Sequence, residues 1–178
     1  MPPLKLYYFD ECGFAPSLPT NASWCLPGQR KHVPYEYPSG RRVNALAAYE
    51  PLAAEPWLGS RALERTLTSD DVLAYLRGLP AAAVPRVVVL DNAGIHTSKQ
   101  VKAERKALSR EGIYLYFLPP YSPELNEIEP VFKQVKHHDI PIRSHTSKAE
   151  LRTSVEGGFA TRAQYLRQRG NKAPWRAA

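Results

Sequence analysis

The run Arg86-Val-Val-Val-Leu90 constrains the fold of this chain more than any other stretch. Three β-branched residues and a leucine, bounded by Pro85 and by Asp91-Asn92, read as a strand buried on both faces. Asp91 then stands at the carboxyl end of that strand, where ligand chemistry collects in open α/β sheets. Leu4-Lys-Leu-Tyr-Tyr-Phe9 is also strand-like, and a first strand over 4–10 is expected to stop at Asp10-Glu11. A third acidic cluster, Glu124, Glu127 and Glu129, lies at the start of a helix. If the two strands are neighbours, Asp10 and Asp91 converge on one rim of the sheet. Carboxylates gathered from separate elements point to a divalent-cation site, because magnesium and manganese prefer oxygen ligands.

A chain of 178 residues, 43% of them hydrophobic, is enough for one domain with a substantial core. No apolar run approaches the roughly 20 residues needed to cross a bilayer. Met1-Pro-Pro leads straight into the first strand, so no signal peptide and no membrane partner are expected, and a cytoplasmic location is. The formal charge of +7 favours a polyanionic partner. Cys12 and Cys25 lack metal-binding spacing and read as free thiols. Seventeen prolines are about twice the ordinary share of roughly 5% and fall mostly at element boundaries.

In chain order, residues 11–22 are expected as loop, since Gly13, Pro16 and Pro19 oppose regular structure. Residues 23–33 read as a strand broken by a Pro27-Gly28 turn, and 41–49 as a third strand after the turn at 38–40. Between 50 and 68 alternation is absent, and only a short strand near 62–67 suggests itself. Ser69-Asp70-Asp71 caps a helix carrying Val72, Leu73, Tyr75, Leu76 and Leu79, which Gly78 and Pro80 end. After the central strand, Thr97-Ser98 caps a basic helix reaching Arg110, and 113–118 forms another buried strand. Ile128, Val131, Phe132 and Val135 make one apolar helical face with Pro130 in its first turn. A last helix spans 147 to about 169, with an interruption suggested at Gly157-Gly158. The order β-β-β-α-β-α-β-α-α predicts an α/β domain: an antiparallel three-strand meander, then alternating helices and strands in a mixed sheet with helices on both faces. Residues 1–140 are expected to form the unit that carries the acidic residues, and 141–178 a helical extension and basic tail of the same domain.

Singly, each acidic residue has an ordinary explanation: turn chemistry for Asp10 and Asp91, and favourable charge at a helix start for the glutamates. The joint pattern is the specific signal. Phe9-Asp-Glu-Cys-Gly13, Leu90-Asp-Asn-Ala-Gly-Ile-His96 and Leu118-Pro-Pro-Tyr-Ser-Pro-Glu-Leu-Asn-Glu-Ile-Glu129 closely resemble the three signature blocks of DDE transposases. The resemblance is to the Tc/mariner superfamily, particularly its bacterial insertion-sequence branch, and Trp24…Pro27-Gly28-Gln29 resembles a further segment of that branch. It implies a ribonuclease-H-like catalytic domain that hydrolyses DNA phosphodiesters at transposon ends and transfers strands to target DNA. Carried over by motif, Asp10, Asp91 and Glu129 bind two magnesium ions, for which manganese would substitute. Glu11, Asn92, His96, Asn126 and Glu127 are secondary candidates. Glu127 stands where the family usually has proline, and periodicity cannot choose between it and Glu129; the motif favours Glu129. Glu11 is sent away from Asp10 by strand alternation, and His96 could cap the next helix.

The basic residues Arg30, Lys31, Arg41, Arg42, Lys99, Lys102, Lys106, Lys133 and Lys136 are expected to track the DNA backbone without reading its sequence. The resemblance further implies a homodimer when active. Family members carry amino-terminal helix-turn-helix modules, which this sequence lacks, so such a module is expected as a separate partner. Two other readings keep the same fold: a ribonuclease-H or junction-type nuclease, and a catalytically inactive remnant that only binds DNA.

Overall fold

The computed structural model describes residues 3–16, 25–29, 42–141 and 145–170. Five strands form one mixed sheet in the spatial order β3-β2-β1-β4-β5. They are β1 (Lys5–Phe14), β2 (Val43–Glu50), β3 (Trp57–Leu63), β4 (Arg86–Leu90) and β5 (Ile113–Phe117). The helices are α1 (Ser69–Arg77), α2 (Lys99–Arg110), α3 (Ile128–Gln134) and α4 (Lys148–Arg169). β1 pairs antiparallel with β2, and β2 with β3, while β1–β4 and β4–β5 run parallel. The element order is the expected one, and the meander is present.

Its members differ from the sequence reading. The second strand is Val43–Glu50, and the third is Trp57–Leu63, in the stretch where no alternation was visible. β3 lacks a clean pattern because it is an edge strand, with Leu58 and Ala62 buried toward α4 and Arg61 exposed. Within 23–33, residues 25–29 hold the expected turn, with Gln29 N–H donating to Leu26 C=O at 3.0 Å, but no strand. The rest of that segment lies outside the described residues.

β1 also runs four residues past Asp10, so the loop expected at 11–22 begins only after Phe14. Pairing with β2 carries it on, as far as Phe14 opposite Val43. Gly13 is accommodated in the strand because the Arg42 guanidinium lies across it: a β-carbon there would come within 2.4 Å of Arg42 Nε.

Alternation along β1 and β2 divides the core between two faces. Tyr7, Phe9, Leu46 and Ala48 pack with Val72, Leu73 and Leu76 of α1 and with Val101 and Leu108 of α2. Cys12, Phe14, Ala45 and Ala47 pack on the other face with α3 and α4. Helices therefore cover both faces, as predicted. Ile128, Val131, Phe132 and Val135 are all buried, and each such side chain contributes about 1.5–3 kcal/mol to docking α3 and the turn after it. The cap of α1 falls one residue earlier than expected, at Thr68, whose hydroxyl accepts from Asp71 N–H while the Asp71 carboxylate accepts from Thr68 N–H. After α3 the chain widens into a π-turn, Val135–Asp139, and α4 then runs without a break through Gly157-Gly158.

Candidate active site

The two crossovers through α1 and α2 make β1, β4 and β5 parallel, so their carboxyl ends share one edge of the sheet. β1 and β4 are neighbours, which is the condition the sequence reading required. Their register sets Tyr8 beside Val89, and continuing it by two residues sets Asp10 beside Asp91. Asp10 is thus not at its strand's end but at the point where β4 stops beside it. The chain leaving β5 folds over this edge as a loop that includes the short helical turn Pro123–Leu125, and α3 follows. Asp10, Asp91 and Glu129 line a single cleft of about 440 Å³ there, together with Asn92, Asn126 and the loop residues Leu118 to Pro123.

Each acid has a different setting. Asp10 is only 6% exposed, and its two oxygens accept from Glu11 N–H at 2.8 Å and from Asn126 Nδ2 at 3.0 Å. Burial, with the nearby charges of Asp91 and Glu11, lifts its pKa to about 7. Asp91 is half-buried and lies below the ordinary carboxylate range, chiefly through its contact with His96 (Oδ1 to Nδ1, 2.7 Å) and the donation from Ala93 N–H. Glu129 is exposed at the cleft wall. Glu127 does not line this cleft; it faces a neighbouring depression with Glu124, Pro130 and Lys133, which Asn126 and Glu129 also border, and its charge acts on Tyr8 and Tyr49. The two glutamates that periodicity left equivalent differ in that Glu129 borders both depressions and Glu127 only the second.

His96 is fully buried and does not cap α2; Ser98 does, its hydroxyl accepting from Val101 N–H. The imidazole instead sits between two acids. Its Nε2 lies 2.7 Å from Glu11 Oε2, although the ring N–H is not aligned on that oxygen. Burial disfavours the imidazolium, but Asp91 and Glu11 outweigh it and raise the pKa to about 9. Glu11 points to the opposite face from Asp10, as alternation required, yet it reaches the site through this histidine. Asp10, Glu11 and His96 offer ligand atoms within 4.8 Å of one another. Asn92 staples the loop to the strand end, its Nδ2 donating to Leu118 C=O at 2.6 Å.

The donor set suits a hard divalent cation. Carboxylate oxygens outnumber the donors that satisfy them, Asp10 is poorly ionised without a counter-charge, and the buried Asn126 Oδ1 has no hydrogen-bond partner among the described residues.

Of the basic residues, Arg42, Lys99, Lys102, Lys106 and Lys133 are exposed. Lys136 is half-buried with its ammonium 5.6 Å above the Phe14 ring. Arg30, Lys31 and Arg41 lie outside the described residues.

The profile of the DDE superfamily endonucleases matches residues 5–152. The chain belongs to this family. Among solved structures, the DDE endonuclease described here is similar to the Mos1 mariner paired-end complex with Mn (TM-score 0.67, 16% identity, 93% of this chain and 53% of that one). It is also similar to the Mos1 strand transfer complex (TM-score 0.63, 16% identity, 93% and 52%) and to the Mos1 paired-end complex with Mg (TM-score 0.58, 14% identity, 93% and 53%). At these identities the likeness is one of fold, and the fold is ribonuclease-H-like. The chain spans about half the length of these transposase chains. No curated protein sequence matches it.

Sequence reasoning missed the His96 bridge and the contribution of Leu118 to Pro123 to the cleft wall. The first needs the tertiary position of Glu11. The second had a signal in the proline-rich composition of the loop.

Proposed function

We propose that the chain is the catalytic domain of a transposase, of the bacterial insertion-sequence branch of the Tc/mariner superfamily. In this reading it hydrolyses phosphodiesters at transposon ends and transfers the freed strands to target DNA. Residues 1–140 form the catalytic unit, and 141–178 extend the same domain. The observation that carries the reading is the lining of one cleft by Asp10, Asp91 and Glu129, from three separate elements.

These three residues would hold two magnesium ions, or manganese, which when bound supply Lewis-acid stabilisation to the attacking and leaving oxygens. The surrounding residues fix them for that task. Asn126 and the Glu11 N–H orient Asp10, and His96 and the Ala93 N–H orient Asp91. The imidazolium of His96 balances part of the acidic charge before a cation arrives. Exposed Lys99, Lys102, Lys106 and Lys133 offer charge to the DNA backbone, with Arg30, Lys31, Arg41, Arg42 and Lys136 completing the set. The active form is a homodimer that engages the transposon ends through a helix-turn-helix module. No helix among the described residues is long and apolar enough to cross a membrane, in keeping with a cytoplasmic, nucleoid-associated enzyme.

The test compares wild type with Asp91→Asn and Glu129→Gln in Mg²⁺ or Mn²⁺, on transposon-end duplexes, four-way junctions and RNA–DNA hybrids. Both variants are expected to lose cleavage by at least about 10²-fold while keeping their circular dichroism and DNA affinity. Undiminished cleavage by either rejects the assignment, and preference for junctions or hybrids moves the substrate to another nuclease class.

A further inference from the structure

Tyr121 stands apart from every other aromatic residue described. It is 101% exposed, and its ring contacts no other ring or cation among the described residues. It is also the one non-glycine residue with a left-handed backbone there, at φ 58°. A glycine or asparagine would close the same turn with less strain, so the turn alone does not account for a tyrosine. The loop that carries it is fixed at both ends to the acidic cleft. Leu118 C=O is held by Asn92, next to Asp91, and Asn126 donates to Asp10. Between these anchors Pro119, Pro120 and Pro123 limit the backbone further. The backbone that carries Tyr121 is therefore held at the cleft wall, with its ring free to meet a ligand there.

The stretch Leu118 to Pro123 contains no lysine or arginine, so electrostatic capture of phosphate is not its chemistry. A flat, solvated π-face carried on an anchored loop beside a phosphodiester-cutting centre fits a flat apolar ligand group. We propose that Tyr121 is a base-stacking residue, which takes the face of an unpaired nucleobase adjoining the phosphate held in the cleft. This rests on the DNA-cleaving reading of the cleft. Stacking of this kind tolerates any base, so Tyr121 positions the strand and does not read sequence.

The experiment uses the whole chain with Ca²⁺ and DNA duplexes ending in a short single-stranded overhang, each with 5-iododeoxyuridine at one position near the junction. Long-wavelength irradiation crosslinks that base to an aromatic ring stacked on it, and mass spectrometry identifies the residue. Tyr121 is expected to be crosslinked at one or two adjacent positions. Affinity for the overhang duplex should fall roughly 5- to 150-fold in Tyr121→Ala and stay within about 2-fold in Tyr121→Phe, which keeps the π-face. Because the side chain is fully exposed, the variants should keep wild-type circular dichroism, which is checked first. If the wild type binds no DNA, the function proposed for the cleft fails. If it binds DNA, but the crosslink maps elsewhere and Tyr121→Ala binds as wild type, base stacking is overturned and the nuclease reading stands. Loss of self-association in Tyr121→Ala with unchanged DNA affinity would assign the ring to a protein contact and overturn the proposal as well.

Discussion

At Asp10 the cost of building a cation site is concentrated on one side chain. Its pKa of about 7 exceeds the ordinary value near 3.8, so the folded state holds its proton more tightly than the unfolded chain does. Stability without cations is therefore expected to decline as pH rises from about 4 to about 7. Asp10→Asn removes that penalty. Asparagine offers one acceptor where aspartate offers two, but rotating the Asn126 amide would present the unpartnered Oδ1 to the new N–H group. The substitution should stabilise the cation-free protein at pH 8 by on the order of 2–4 kcal/mol, a rise in Tm of several degrees, with the gain gone near pH 3. Adding MnCl2 should then raise the Tm of wild type and leave the variant unmoved. Calorimetry across pH checks both, and equal Tm values at pH 8 would contradict the assigned burial cost.

Within the elements, the two adjacent glycines of α4 are predicted to behave in opposite ways. A β-carbon on Gly157 meets nothing within 4 Å, whereas one on Gly158 would lie 2.8 Å from Ile140 Cγ1 and 3.4 Å from Val135 Cγ1. Gly157→Ala should therefore stabilise the helix by about 0.5–1 kcal/mol through propensity. Gly158→Ala gains the same propensity but overpacks the contact with the π-turn, a cost of about 1–3 kcal/mol. Urea unfolding of the two variants decides the matter, and equal effects would show that α4 does not approach the π-turn this closely. The pair also explains why a suggested helix break is absent: Gly158 is there for close packing, and one turn on along the same face Arg162 anchors the helix by donating to Asp139 at 2.7 and 3.0 Å.

For the whole molecule, a net charge of +7 predicts salt-sensitive DNA binding. Each lysine that contacts phosphate should contribute about 0.9 to the slope of log affinity against log salt. A Lys99→Ala, Lys102→Ala, Lys106→Ala triple variant is thus expected to lower that slope by up to about 3, measured by fluorescence anisotropy between 50 and 200 mM salt. An unchanged slope would remove α2 from the DNA path.

What the sequence determined by itself was whatever one residue's neighbours enforce: the buried β4, the position of Asp91 at its end, the apolar faces of the helices and, to within a residue, their caps, and the order of elements. The signature blocks pointed to the acidic set and favoured Glu129, although periodicity alone left it equivalent to Glu127 because helical spacing places both beside Ile128. Tertiary structure decided the rest, because it depends on partners distant in the chain. β1 outlasts Asp10 only because β2 goes on pairing with it, and β3 is a strand because β2 and α4 border it, not because its own residues alternate. Glu11 rejoins the site only because the chain after β4 returns His96 to lie between it and Asp91. Glu129, and not Glu127, lines the cleft because of the direction in which α3 leaves the loop, and a one-dimensional pattern carries no information about direction.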